Sequence, residues 1–401
     1  MNNRSTSLPL RLERLQEAAR TQFVSLQTAI TIDGRTLRLH NAGIKGGRVR
    51  FGLFGRDLLI TAMMLQDTEA MAAAIRFVCR TLGRRFDPRT GEEPGRGMHE
   101  YTDVNMRGRL TRYNAAEVSL LLLITAADYW RLSADESLLR EERPHLIAAI
   151  NYARRHLEDG LFIEDPRNCG ADGYALRATY WKDSRLPDRE DPAYPICYTL
   201  VQAQAIAALR AAAILASPLS ILDQQEDLCA LAETAVSHLF TDLWDEKIDY
   251  PLIARDRKGG IPGISSDALH MLAYLHPEDV PQRQLALIYA GSEQLETQYG
   301  FRTYGLGQPD CSPRDYHLGA IWPFEQAFIA YGSIVHSLPK ALTVALRTIN
   351  ALEQLGFVEL YYFQQDTGLM SGGTQEAEGC DVQLWSLATP AALLRLLTNG
   401  P

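Results

Sequence analysis

Apolar residues recur at spacings of three and four along most of the chain, the pattern left by one buried face of a helix. The pattern predicts helices near 9–31, 56–66, 68–82, 113–131, 135–158, 194–216, 223–242, 265–275, 281–298, 318–336, 339–355 and 381–398. Convincing strand alternation is rare. Several starts carry their own signals: Asp67-Thr68 and Ser133-Ala134-Asp135 offer capping side chains, and Pro339 stands at a first helical turn after Ser337-Leu338.

The connections between these segments alternate in length. Short joints fall near 66–68, 131–135, 216–223, 275–281 and 336–339, and long ones near 32–55, 83–112, 159–193, 243–264, 299–317 and 356–380. Short joints make neighbouring helices antiparallel hairpins. Loops beyond about 12–15 residues are uncommon unless functional, so six of them in strict alternation require a reason. A closed ring of six helix hairpins supplies it, because alternate connections then emerge at the same end. The expected fold is all-α, an (α/α)6 barrel or six-hairpin toroid, with residues 1–401 forming one domain. An α-solenoid would show self-similarity at a fixed period, and none is present.

Composition narrows the partners. A net charge of −9 and a pI near 5.6 argue against nucleic acid and anionic membrane as main partners. The six cysteines (Cys79, Cys169, Cys197, Cys229, Cys311 and Cys380) are scattered, with no Cys-x-x-Cys pair. They read as reduced thiols, and neither a metal nor a cofactor is expected. The first residues lack an apolar signal core, and no segment offers roughly 18 uncharged apolar residues, so a cytoplasmic location is expected.

The long connections hold the chemistry. Asp183 lies in Thr179-Tyr180-Trp181-Lys182-Asp183-Ser184, and Glu359 in Gly356-Phe357-Val358-Glu359-Leu360-Tyr361-Tyr362. Two carboxylates flanking a bond, one protonated and one ionised, are the minimal machinery for hydrolysing a glycosidic linkage. Aromatic faces beside them suit the C–H faces of a sugar. Arg56-Asp57, after Phe54-Gly55, can fork hydrogen bonds onto vicinal hydroxyls or simply cap a helix. His99 in Gly97-Met98-His99-Glu100-Tyr101 can face a ligand or be a satisfied loop residue. Burial against aromatic rings would raise a carboxyl pKa at Asp183, and a Lys182 charge aimed at it would lower it.

These segments occur in a telling order: Phe54-Gly55-Arg56-Asp57, Arg112-Tyr113-Asn114, Tyr180-Trp181-Lys182-Asp183, Gly300-Phe301-Arg302-Thr303, Tyr316-His317-Leu318-Gly319-Ala320-Ile321-Trp322-Pro323, the Glu359 segment, and Gln383-Leu384-Trp385-Ser386. In that order, over roughly residues 45–398, the chain resembles the glucosidase domain of glycogen debranching enzymes (amylo-α-1,6-glucosidases). These belong to the six-hairpin toroid glycosidases. The resemblance implies an inverting hydrolysis of an α-glucosidic bond, with Asp183 as general acid and Glu359 as general base. The clustering of charged and aromatic residues in the same loops predicts a substrate site drawn from Phe54, Arg56, Asp57, His99, Tyr113, Asn114, Trp181, Arg302, His317, Trp322, Gln383 and Trp385. Lys182 departs from the family, which usually shows an apolar residue there.

Three other readings stand beside it. A small α-glycoside, a disaccharide or a glycosylglycerate-type compatible solute, would use the same carboxylates. A sugar epimerase or isomerase would need His99 and His317 facing each other as acid and base. A catalytically silent sugar-binding protein would need neither. Glu376 and Glu378 are rival bases to Glu359, ranked lower because they lack flanking aromatics.

Overall fold

A computed structural model describes residues 7–372 and 379–400. Glu376 and Glu378 lie outside the described residues. In chain order the helices are α1 (Leu8–Leu26), α2 (Gly55–Leu65), α3 (Thr68–Thr81), α4 (Val118–Ser133), α5 (Ser137–Glu141), α6 (Arg143–His156), α7 (Thr199–Leu215), α8 (Gln225–Leu239), α9 (Asp267–His270), α10 (Gln282–Ser292), α11 (Pro323–Val335), α12 (Pro339–Leu346), α13 (Thr348–Leu355) and α14 (Leu384–Asn399). A 3-10 turn, Met271–Tyr274, continues α9.

What each helix buries sorts them into two layers. Helix α7 is alanine-rich and buries residues around its whole circumference, from Thr199 to Leu215. Its neighbour α8 buries only Leu228, Ala232, Ala235 and Leu239, a single stripe at spacings of four, three and four. Accordingly α2, α4, α7, α9, α11 and α14 contact one another in that order and close back on α2. Around them lie α1 on α14, α3 against α2 and α4, α6 on α4, α8 on α7, α10 on α9 and α12 on α11. The chain is an α/α toroid of two concentric layers.

Every inner helix begins at a long connection and, α14 apart, ends at a short joint, so the inner helices run parallel. Their N-termini meet at one end of the ring. Their C-terminal turns enclose a cavity of about 640 Å³ at the other, among Met63, Ile124, Ala211, Phe328 and Leu396. The core between the layers is continuous and includes Leu120, Leu121, Leu122 and Leu123 of α4, all fully buried. Truncating one of these to alanine costs about 2–5 kcal/mol, a large share of a domain's stability.

Several sequence expectations are corrected. The first helix stops at Leu26, and Gln27–Ile32 (β1) pairs with Arg35–His40 (β2) in an antiparallel hairpin. Thr28, Ile30, Thr31 and Ile32 favour the strand, and Asp33-Gly34, both at positive φ, make its turn. Residues 113–117 and 318–322 precede their helices as connections; Pro323 opens α11. The predicted helices 135–158 and 339–355 each break into two, at Glu142 and Arg347.

Short two-stranded ribbons occupy every long connection. One of them closes the ring: Gly43–Lys45 (β3) pairs with Arg48–Phe51 (β4) on one side and with Val382–Gln383 on the other.

Candidate active site

The first turns of the inner helices form the floor. Phe54 precedes α2 in an extended conformation, so Arg56 and Asp57 project from a helix start that carries no side-chain cap. Arg56 is buried, and both its terminal nitrogens are engaged. Its Nη1 donates to Glu117 Oε1 at 2.9 Å, and its Nη2 donates to Asp183 Oδ2 at 3.0 Å. Nη2 also lies 3.3 Å from His99 Nε2. The Nδ1 of His99 faces the carbonyl of Thr111 at 3.3 Å and must carry the proton there, which leaves Nε2 to accept from Arg56. Burial and the Arg56 charge push His99 well below its ordinary pKa, so the ring is neutral. Phe54 packs edge-on to it at 5.1 Å.

Asp57 is tied across the seam of the ring, where Gln383 Nε2 donates to its Oδ2 at 3.0 Å. Burial raises its carboxyl to about 7, opposed by Arg56 and reinforced by the charges of Glu359 and Asp183. Three carboxyl groups from three separate connections therefore share one electrostatic neighbourhood, and they hold a proton into the neutral range.

Asp183 and Glu359 are held differently. Asp183 is raised by burial and pulled back by the Arg56 charge and hydrogen bond; its side chain keeps 22% exposure. Glu359 is nearly inaccessible. Its Oε1 accepts from the Tyr316 hydroxyl and its Oε2 from the Cys380 amide at 2.7 Å. Burial raises Glu359 too, against those two donors, which favour the ionised form.

Lys182 does not face Asp183. Its Nζ turns to Ser265 Oγ (2.9 Å), Ser266 Oγ (3.0 Å), the Thr303 carbonyl (3.2 Å) and Asp267 Oδ1 (3.0 Å). Adjacent side chains diverge along this segment, so the lysine anchors the loop and leaves the aspartate to Arg56. Trp181 Nε1 donates to the same Asp267 at 3.1 Å.

The aromatic wall comes from the later connections. His317 stacks on Trp322 at 5.3 Å, Trp181 meets both edge-on, and Trp385 stacks on Phe324 at 4.1 Å. Ser184 donates its N–H to His317 Nδ1 at 3.2 Å, so the imidazole proton is on Nε2. Burial and the charges of Lys182 and Arg56 keep His317 neutral.

Thus Phe54, Arg56, Asp57, His99, Trp181, Asp183, His317, Trp322, Glu359, Gln383 and Trp385 are gathered at the helix N-terminal end. Tyr113 and Asn114 are not available to a ligand. Tyr113 donates its hydroxyl to the Thr81 carbonyl, and Asn114 bonds the carbonyl of Thr90 and the amides of Ala175 and Leu176. Arg302 is buried with no ion pair or side-chain hydrogen bond among the described residues, and burial lowers its pKa. The epimerase reading needs His99 as acid or base, and both its ring nitrogens are engaged within the protein.

Residues missed in the sequence are Glu117, which anchors Arg56, and Tyr316 and Cys380, which hold Glu359. Glu117 left a signal: an acid directly before the apolar run of α4. A second buried acidic group, Glu93, His156 and Glu164, is no open metal cradle, since Arg96 bonds Glu93 at 2.9 Å and Glu164 at 2.7 Å.

No protein-family model matches the chain, and no curated protein sequence matches it. Solved structures do. A family GH63 mannosylglycerate hydrolase from Thermus thermophilus, in complex with glucose, aligns with a TM-score of 0.62 at 13% identity, over 94% of this chain and 99% of that one. The fold is that of toroid glycosidases. A second such structure, a wild-type glycosidase, gives a TM-score of 0.63 at 13% identity over 96% of both chains. A rhamnosidase from Klebsiella oxytoca with rhamnose bound gives 0.64 at 15% identity, over 98% of this chain and 65% of that one. At these identities the likeness establishes the toroid architecture. No helix among the described residues is long and apolar enough to cross a membrane.

Proposed function

We propose that this chain is a glycoside hydrolase that cleaves a small α-glycoside with inversion, using Asp183 as general acid and Glu359 as general base. The observation that carries this reading is a bridge made by two consecutive residues. Tyr316 bonds Glu359 through its hydroxyl, and His317 bonds Ser184, the neighbour of Asp183. The two carboxylate loops are thereby fastened to one short segment, beside a wall formed by Trp181 and Trp322.

The chemistry follows from how each carboxyl is held. Asp183, the more exposed, gives its proton to the glycosidic oxygen as the bond breaks. Glu359, with two donors favouring its ionised form, takes a proton from a water that attacks the anomeric carbon from the opposite face. Inversion requires room for that water, which corresponds to carboxyl separations of about 6.5–9.5 Å. Seating the sugar removes solvent from Asp183 and raises its pKa against Arg56.

A small substrate with an acidic aglycone, such as a glycosylglycerate, is favoured over glycogen. Mannosylglycerate hydrolase shares the architecture over nearly its whole length, and a structure of that enzyme is described as a complex with Tris and D-glycerate. Arg302, a buried guanidinium without a counterion among the described residues, belongs to the same connection as Tyr316 and His317. A carboxylate on the aglycone would satisfy it. The debranching-type reaction, suggested by the order of motifs, is the second reading.

Anomer-resolved NMR on a panel of α-glycosides, with and without a carboxylate on the aglycone and with a branched glucan included, tests both. The expected result is release of the β-sugar from a carboxylate-bearing glycoside. First appearance of the α-anomer would overturn inversion, and turnover of the glucan alone would favour the debranching reading.

A further inference from the structure

One carboxyl group at the site has no role in the reaction outlined above. Glu100 is 6% exposed and makes neither an ion pair nor a side-chain hydrogen bond among the described residues. Its place is fixed by the backbone. Residue 100 forms an antiparallel bridge with Phe54, the Gly55 amide donates to the His99 carbonyl at 3.0 Å, and the Tyr101 amide donates to the Leu53 carbonyl at 2.9 Å. The 99–101 segment is thus strapped across the start of α2, the turn that presents Arg56 and Asp57.

The cation beside Glu100 is Arg56, whose guanidinium is already divided among Glu117, Asp183 and His99. The other charges acting on Glu100 are those of Asp183 and Asp103, both repulsive, and Asp103 is itself paired with Arg112. An ionised carboxylate in that position has burial and two like charges against it and only a shared cation for it. The protonated form is what the surroundings favour, and burial with Asp183 holds this carboxyl up to about 8. The carboxyl keeps slight solvent contact and no protein acceptor among the described residues. A ligand oxygen seated beside Asp183 can replace water as the acceptor of its proton.

We propose that Glu100 is a substrate-binding specificity residue that works as a protonated carboxyl, donating a hydrogen bond to an oxygen of the glycoside next to the bond that Asp183 cleaves. This rests on the hydrolase reading and adds a second acid with a separate role, since Asp183 gives its proton away whereas Glu100 keeps its own. The oxygen it selects is an acceptor, a hydroxyl or a carboxylate.

The test compares Glu100→Gln, which keeps a donor and cannot ionise, with Glu100→Ala. Substrate binding is measured by calorimetry in a Glu359→Gln background, so that no turnover is needed, and kcat/KM is measured across pH in the otherwise native chain. Glu100→Gln is expected to stay within about threefold of the parent at pH near 6 and to bind better than the parent above pH about 9, where the parent's Glu100 has ionised. Glu100→Ala should weaken binding about tenfold or more and raise KM with little change in kcat. Glu100→Gln as damaged as Glu100→Ala would mean the ionised form is required, and unchanged binding in Glu100→Ala would mean the carboxyl is only buried; either overturns the proposal. If Asp183→Asn, run alongside, retains full turnover, the hydrolase reading fails, while the binding comparison at Glu100 still stands on its own.

Discussion

Arg56 donates through Nη2 to Oδ2 of Asp183 over 3.0 Å, which sets the proposed proton donor directly against a buried cation. That contact lowers the carboxyl pKa while burial raises it. A general acid works in its protonated form, so activity is lost as pH rises through its pKa. Arg56→Gln removes the lowering influence and should move the alkaline limb of kcat/KM upward by about 1–3 pH units, the usual effect of a paired guanidinium on an aspartate. The same change leaves Glu117 buried without its partner, so the variant should also unfold more easily. A limb that stays put in the folded variant would show that Asp183 is not the titrating acid.

Asp57 is held in its protonated form up to about 7, far above the value of an aspartate in an unfolded chain. The folded state therefore binds this proton more tightly than the unfolded state does. Stability from it is present at low pH and lost as pH rises through the unfolded and then the folded value, reaching its full penalty above about 7. Asp57→Asn should consequently raise Tm at pH near 8, by the equivalent of roughly 2–4 kcal/mol, and change it little at pH near 4. The amide can still accept from Gln383. Meanwhile Asp57→Ala should lower kcat/KM by the equivalent of about 1–3 kcal/mol, what a pair of hydroxyl contacts supplies. Thermal melts at the two pH values check the first expectation. For the second, an unchanged kcat/KM in the alanine variant would show that Asp57 only closes the ring.

Tyr316→Phe deletes one of the two donors to Glu359. That donor favours the ionised carboxylate, so its loss raises the pKa of the proposed base. Because the base acts when ionised, the acid limb of kcat/KM should move to higher pH by roughly one to two units. Glu359→Gln should abolish turnover, whereas Glu376→Gln and Glu378→Gln should leave it in place. The reverse pattern would reassign the base.

Lys182→Met separates anchoring from catalysis. Asp267 would be left buried without its cation, at a cost of about 3–5 kcal/mol in stability. Since the ammonium turns away from Asp183, the alkaline limb of kcat/KM should keep its position in the protein that remains folded. A shifted limb would mean that Lys182 tunes the acid after all.

The sequence carries the layers of the fold more clearly than its seams. The stripe on α8 and the continuous burial of α7 differ in their residue patterns, and the lengths of the connections then dictate which ends meet. The β1–β2 hairpin is legible in principle, since Asp33-Gly34 follows the β-branched Thr28, Ile30, Thr31 and Ile32 and precedes the alternating Leu37 and Leu39; the apolar residues before it fit one more helical turn equally well. In the site, Asp57, Trp181 and Gln383 announce themselves by lying at the mouths of long connections. Tyr113 and Asn114 lie at such a mouth too, yet their polar atoms bond backbone groups of loops remote in sequence, which no spacing reveals. The direction of Lys182 is likewise beyond reach, because Asp267, its counterion, lies 85 residues away by number (267 − 182) and only the folded ring brings them together.

The bond from Gln383 to Asp57 spans 326 positions of the chain and joins the last inner helix to the first. Beside it, Val382–Gln383 adds a strand to Gly43–Lys45. A ring assembled from hairpins in sequence is an open arc until its two ends are latched, and here the latch is built from groups that border the carboxylates. Anything held by Asp57 is thus gripped by both ends of the arc at once. Occupancy of the pocket therefore adds a further tie across a seam that the packing of α14 on α2 already closes.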